Sequence, residues 1–194
     1  MAGTSTTGKP VENRNSSGAE TFTSTTPGEV RAGRSLVVST SFTRPSDTTA
    51  YAAGDAVTNS TSAPVVMTFA SCARYSGGGG VVTSVGMLDS ANVATKGSFE
   101  LWLFTVAPTP DNDNAVFTPT DAELANCVGV FPLITNYVGD ATVGAGGNAV
   151  YESAEKLRPF VCGTTSLFGL LIVRNAYVPV SGEVFQLFLN ILQD

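Results

Sequence analysis

Several groups of residues in this chain have types and spacings that could do chemistry. Asp111-Asn112-Asp113-Asn114 sets oxygen-bearing side chains side by side, as a hard divalent cation wants. Measured against a calcium-binding EF-hand loop begun at Asp111, the sixth position is Val116 where glycine is needed. The twelfth is Ala122 where a bidentate glutamate is needed. A proline-flanked polar turn, its Asx side chains bonding nearby backbone, is the better reading. Gly77-Gly78-Gly79-Gly80 could cradle a phosphate, but such loops run into Gly-Lys-Ser/Thr or a helix, and here Val81-Val82-Thr83 begins a strand. That run and Gly144-Ala145-Gly146-Gly147 read as flexible connections between strands. Ser71-Cys72 has no base beside it, because Arg74 cannot accept a proton. The carboxylate pairs Glu152 with Glu155 and Asp121 with Glu123 sit in polar segments and read as solvated faces.

The chain has 194 residues, of which 16 are Asp or Glu, 10 are Lys or Arg, and none is histidine. Without histidine, Ser-His-Asp, Cys-His and His-zinc chemistry are excluded. A net charge of -6 with scattered basic residues argues against a nucleic-acid backbone as partner. The longest nearly apolar run, Leu167 to Val173, is far short of the roughly 20 residues that span a bilayer, so no membrane partner is expected. No basic start or apolar core of a secretion signal opens the sequence, and synthesis in a reducing cytoplasm is the expectation. Cys72, Cys127 and Cys162 lack metal-ligand spacing, and each lies in or beside an apolar segment, so they read as buried, inert thiols. The formal glycosylation sequons at Asn15 and Asn59 matter only in a secreted eukaryotic setting. No catalytic group, cofactor or metal is expected. Charged residues are only 13% of the chain against 43% hydrophobic, well under the roughly 25% charged of ordinary soluble domains, so serine and threonine carry much of the surface polarity.

The elements that carry these residues are short. Residues 1–29 are rich in Thr, Ser, Gly and Asn, with Val11 and Phe22 the sizeable apolar residues after Met1. Such a segment cannot offset its ordering entropy by its own burial, and it is expected as a flexible arm. From residue 30 to 194, apolar runs alternate with Gly, Pro, Asn and Asp clusters, which predicts strands joined by turns. The strands fall near Ser35–Thr43, Val65–Ala73, Val81–Leu88, Ser98–Val106, Val128–Asn136, Arg158–Cys162, Leu167–Tyr177 and Glu183–Leu192. In the last, Phe185, Leu187, Leu189 and Ile191 share one face. Thr120 and Glu123 fit a capping box and predict one short helix. The expected fold class is all-β: an antiparallel two-sheet β-sandwich, with the jelly roll fitting the strand number best. An immunoglobulin-like sandwich or another Greek-key barrel also fits.

Two stretches add a resemblance. Phe42-Thr43-Arg44-Pro45-Ser46-Asp47-Thr48-Thr49-Ala50-Tyr51-Ala52-Ala53-Gly54-Asp55-Ala56-Val57 resembles a segment of structural proteins of tailed bacteriophages. Leu101-Trp102-Leu103-Phe104, then Pro108-Thr109, Asp113-Asn114-Ala115-Val116-Phe117 and Thr120-Asp121-Ala122-Glu123-Leu124, is similar to an ordered series in the same proteins. The resemblance covers residues 42–124 and contains no active-site signature. It implies a non-enzymatic virion protein, made in the host cytoplasm: a head decoration, or cement, protein that binds the outside of the capsid as a homotrimer and bridges capsomers. Its partners would be the major capsid protein and itself. Candidate capsid or subunit contacts are Val11, Phe22, Arg31, Arg34 and Arg44. Two readings compete. A tail-associated or fibre protein would recognise a host surface through exposed aromatics such as Tyr51, Tyr75 or Tyr137. A small carboxylate-dependent enzyme would need a pocket holding two carboxylates with perturbed pKa values.

Overall fold

The computed structural model of the chain describes residues 33–91, 95–138 and 148–194, with the backbone of two short strands at 13–14 and 20–21. The chain divides into two units, Met1–Ala32 and Gly33–Asp194. In the first, β1 (Asn13–Arg14) and β2 (Glu20–Thr21) pair antiparallel, Asn13 opposite Thr21 and Arg14 opposite Glu20. The arm expected over residues 1–29 otherwise lies outside the described residues, as do the candidate contacts Val11, Phe22 and Arg31.

Among its described residues the second unit is all β apart from one helical turn. Its strands are β3 (Arg34–Thr43), β4 (Ala56–Val57), β5 (Met67–Phe69), β6 (Gly79–Asp89), β7 (Phe99–Phe104), β8 (Cys127–Val138), β9 (Ala149–Glu152), β10 (Arg158–Val161), β11 (Leu167–Val173) and β12 (Val184–Gln193). They form one antiparallel sheet in the order β3-β12-β6-β9-β8-β7-β11-β4, with β10 also on β6 and β5 also on β11. β12 alternates as its sequence requires: Phe185, Leu187, Leu189, Ile191 and Gln193 are buried, and the residues between them are partly or fully exposed. β11, Leu167-Phe168-Gly169-Leu170-Leu171-Ile172-Val173, is apolar throughout because β7 lines one edge and β4 and β5 the other, with Phe168 the one position only partly covered.

β8 gives the sheet its curl. Its first half, through Leu133, pairs with β7, and its second half, from Ile134, pairs with β9, with a register shift between Thr135 and Tyr137. An irregularity of that kind bends a strand and increases its twist. One core therefore collects side chains from both ends of the strand order, Val85, Leu187 and Leu189 with Leu101, Leu103 and Leu171. Each such fully buried leucine contributes roughly 1.5–3 kcal/mol. Phe99 meets Tyr151, Tyr177 and Phe185 edge-on, at centroid distances of 5.5, 5.9 and 5.3 Å.

All the expected strands are present, with shifted ends. β5 stops at Phe69 because the chain turns sharply there: Ser71 has φ 63°, and the Gln193 side-chain amide donates to the Ser71 and Cys72 carbonyls at 2.8 and 3.1 Å. β4 and β9 were not expected, since two and four residues are too few for a period to register. The glycine run differs from its reading as a loop. Gly79 and Gly80 begin β6, where a Cβ would stand 2.5 Å from the Phe160 carbonyl oxygen and 2.6 Å from that of Leu192; only glycine admits β10 and β12 so close on both sides. The other run, at 144–147, lies outside the described residues. The helix α1 (Asp121–Leu124) has the expected capping box, with both Thr120 and Glu123 bonds present.

Candidate functional site

Strand parity brings ionisable residues to one end of this sheet. β12 turns its odd-numbered residues inward, and Glu183, one residue before it, keeps that parity. β6 turns Val85 and Met87 inward, and so also its last residue, Asp89, which is opposite Phe185. In β3 the even-numbered positions include buried Val38, and Arg44 continues them one residue past the strand. Its N–H donates to the Glu183 carbonyl at 2.8 Å. Arg44, Asp89 and Glu183 are 2%, 0% and 2% exposed. Buried charges persist only when paired and hydrogen-bonded, so their partners decide what they do.

Arg44 has a full set. Its Nη2 meets Asp113 Oδ2 at 2.8 Å, with neither side chain exposed, its Nε donates to the Tyr51 hydroxyl, and its guanidinium lies 4.7 Å from the centre of the Tyr51 ring. The Tyr51 hydroxyl in turn donates to Asp113 Oδ1 at 2.6 Å, which also accepts the Thr58 backbone N–H at 2.9 Å. One carboxylate thus holds together the segment after β3, the Tyr51 loop, the end of β4 and the turn at 111–114. Burial works to lower the Arg44 pKa, and Tyr51 with Asp113 outweighs it and raises it. Burial, then the Asp113 hydrogen bond, pushes the Tyr51 hydroxyl up. Tyr51 stays a neutral donor.

The second cluster adjoins the first through stacked rings. Tyr51 and Tyr177 lie 5.7 Å apart and nearly parallel, and the Tyr51 N–H donates to the Tyr177 carbonyl at 2.9 Å. The Tyr177 hydroxyl donates to Glu183 Oε2. Asp89 Oδ2 meets Lys96 Nζ at 3.0 Å, while its Oδ1 accepts the Ala91 N–H at 2.7 Å. Lys96 Nζ also donates to the Ala91 carbonyl at 2.6 Å. Burial, reinforced by a side-chain hydrogen bond with Asp89, pushes the Glu183 carboxyl up to about 8. At neutral pH it is the protonated member of the pair. Its Oε1 has no hydrogen-bond partner among the described residues. Arg44 pairs with Asp113 and, at 3.6 Å, with Asp47, and Lys96 pairs with Asp89 beside neutral Glu183.

A carboxyl held neutral by burial next to a second carboxyl group invites an acid–base reading. Here both are almost wholly buried, and no solute reaches them as the fold stands. The apolar cleft lined by Phe42, Val57, Met67 and Leu171 among others holds no ionisable group. No group of three metal-ligating side chains occurs among the described residues. What the arrangement does chemically is fasten loops.

The residues singled out from sequence are dispersed. Arg34 lies exposed at the start of β3. Arg44 is not a surface contact: its guanidinium is committed to Asp113 and Tyr51 inside the fold. Tyr51 is buried likewise, so of the aromatics proposed for host recognition only Tyr75, 57% exposed, has its side chain shown at the surface. The side chain of Tyr137 lies outside the described residues. The turn at 111–114 is a turn, with Asp111 accepting the Thr118 N–H at 3.0 Å and Asn114 at φ 62°. The inward role of Asp113 was missed. Cys72 and Cys162 are fully buried, and burial pushes their thiols up to about 12 and about 11; Cys127 is half-buried, its thiol also raised, chiefly by burial. Glu152 and Glu155 are exposed. Asp89, Lys96, Tyr177 and Glu183 were not foreseen as a group, though alternation carried to Asp89, one residue past the expected Val81–Leu88 strand, and to Glu183, the first residue of the expected Glu183–Leu192 strand, points both inward. No protein-family model matches the chain, and a search of curated proteins finds no match.

Proposed function

We propose that the chain is a non-enzymatic virion structural protein of a tailed bacteriophage, a head decoration protein that binds the outer capsid surface as a trimer and bridges capsomers. The observation that carries this reading is that the two resembling stretches interlock. Arg44 and Tyr51 from the first hold Asp113 from the second at 2.8 and 2.6 Å. The shared residues are therefore the fasteners of a scaffold, as expected when the likeness is to a structural protein. We read the curled sheet as a two-sheet, jelly-roll-like sandwich in which β8 passes from one sheet to the other.

The outer face of β3, β12 and β6 supports a contact role. Ser35, Val37, Ser39, Ser41 and Thr43 lie beside Val184, Gln186, Phe188, Asn190 and Leu192, which in turn lie beside Val81, Ser84, Gly86 and Leu88. None of these side chains is ionised. The strip is roughly 30 Å long and roughly 10 Å wide. Hydroxyls and amides among apolar side chains can be covered by another protein without the cost of stripping water from ions. Many weak attachments on one shell then add through avidity.

The test is to separate purified heads from tails and probe each for the chain, then to repeat with residues 1–29 deleted. The decoration reading expects the full chain on expanded heads and weaker retention of the deleted form. Finding the chain only on tails, with binding of the pure protein to host envelope, favours the fibre reading instead.

A further inference from the structure

The edge of β3 carries an inference that goes beyond the proposed role. Among the described residues β3 pairs only with β12. Arg44 donates its N–H toward β12, to Glu183, and it continues the register that sets Thr43 opposite Val184. The N–H and C=O of one residue point to the same side of a strand and alternate with those of the next. Leu36, Val38, Thr40 and Phe42 therefore turn theirs to β12. Ser35, Val37, Ser39, Ser41 and Thr43 turn theirs outward, along the edge that no other described strand pairs with. Phe42, whose side chain points inward, lines a cleft with Met67 and Leu171, and β3 and β5 form no backbone ladder.

Proteins ordinarily protect such an edge with prolines, charges, bulges or short strands. Beyond Arg34 at its first residue, β3 has none of these. It is 10 residues long, its pairing with β12 is unbroken from Arg34 to Thr43, and Ser35 to Thr43 contains neither proline nor an ionisable side chain.

We propose that this edge pairs with the β3 edge of a second copy, antiparallel, about a two-fold axis through Ser39. The edge is self-complementary in that register. Ser39 faces Ser39, Val37 faces Ser41 and Ser35 faces Thr43, so every outward backbone group of all five residues finds a partner. Sliding either strand by two residues leaves an outward residue of each copy unpaired. On the inner side Leu36 of one copy comes opposite Phe42 of the other; both are only partly buried against their own core and have apolar flank left to cover. In this register Arg34 of one copy comes opposite Arg44 of the other, whose guanidinium is turned inward and held by Asp113 and Asp47. A parallel arrangement would bring two exposed Arg34 side chains together. The joint runs the uncharged outer strips of two copies into one surface. Isologous contact of this kind links copies in pairs.

The test uses the full chain in solution, without capsid, so its failure leaves the virion reading standing. Sedimentation equilibrium is measured on the protein, on Ser39→Pro and on Ser39→Lys. Ser39 is exposed and its N–H is not in the β12 ladder, so edge proline is compatible with the fold. Lysine sets like charges directly opposite across the axis. The expected result is even-numbered assemblies, dimers or paired trimers, with association at least tenfold weaker in both variants and circular dichroism unchanged. Should the proline variant misfold, the lysine variant alone decides. Monomers or isolated trimers of the unaltered chain, or association of folded Ser39→Lys as strong as that of the unaltered chain, overturns the proposal.

Discussion

Glu183→Gln isolates a buried acid that is held neutral. The amide keeps the shape of the protonated carboxyl, and its oxygen can accept from Tyr177. The carboxyl titrates at about 8 in the folded chain against 4.5 for the ordinary group. A raised acid pKa means that the folded state binds the proton more tightly than the unfolded state. The stability tied to it is complete below pH 4.5, falls as the unfolded chain ionises, and is lost once pH passes about 8. At 1.36 kcal/mol per unit, this amounts to about 3 kcal/mol by pH 7, and Glu183 is 2% exposed, so solvent screening takes little away. The variant does not titrate there. Asp47 and Glu123, held below the usual carboxylate range chiefly by backbone hydrogen bonds from Thr49 and Thr120, contribute the opposite slope at acid pH and cancel in the comparison. The assay is urea unfolding of both proteins from pH 4.5 to 8, followed by Trp102 fluorescence and far-UV circular dichroism. The variant should gain on the native chain by about 3 kcal/mol between pH 4.5 and 7. A stability difference that stays constant over that range refutes the neutral-acid assignment.

Other perturbations test the rest of the scaffold. Asp113→Ala leaves the Arg44 guanidinium buried without its counterion and should cost about 3–5 kcal/mol, while Arg44→Met combined with Asp113→Leu should recover most of it; denaturant midpoints with unchanged slopes check both. Gly80→Ala sets a Cβ against the Leu192 carbonyl and should lower stability by more than about 1 kcal/mol, with faster amide exchange in β6 and β12. Thr120→Ala removes the cap of α1 and should cost about 1 kcal/mol, read as faster exchange at Leu124 and Ala125 with the sheet unaffected.

How much of this was legible in the sequence depends on how local each signal is. The alternation of Phe185, Leu187, Leu189 and Ile191 fixes a face by itself, and the capping box at Thr120 and Glu123 needs only four consecutive residues. β4 and β9 are strands because neighbours capture them, which no period within them reveals. Gly79 and Gly80 read as a loop because glycine's use at a tight approach depends on β10 and β12, remote in sequence. Arg44 read as a capsid or subunit contact because nothing local in the sequence shows where its guanidinium goes. Its partner Asp113 is 69 residues away, inside a turn that accounted for its polarity. Parity did contain the clue: continuing β3, β6 and β12 to their ends points Arg44, Asp89 and Glu183 into the core, where an ion must find a partner. The pairing itself belongs to the tertiary fold.

The central claim, a decoration protein on a phage head, is tested most directly by imaging virions in which this chain carries a label. The expected result is label over the outer surface of the head, at three-fold positions between capsomers. Label confined to the tail or its fibres contradicts it.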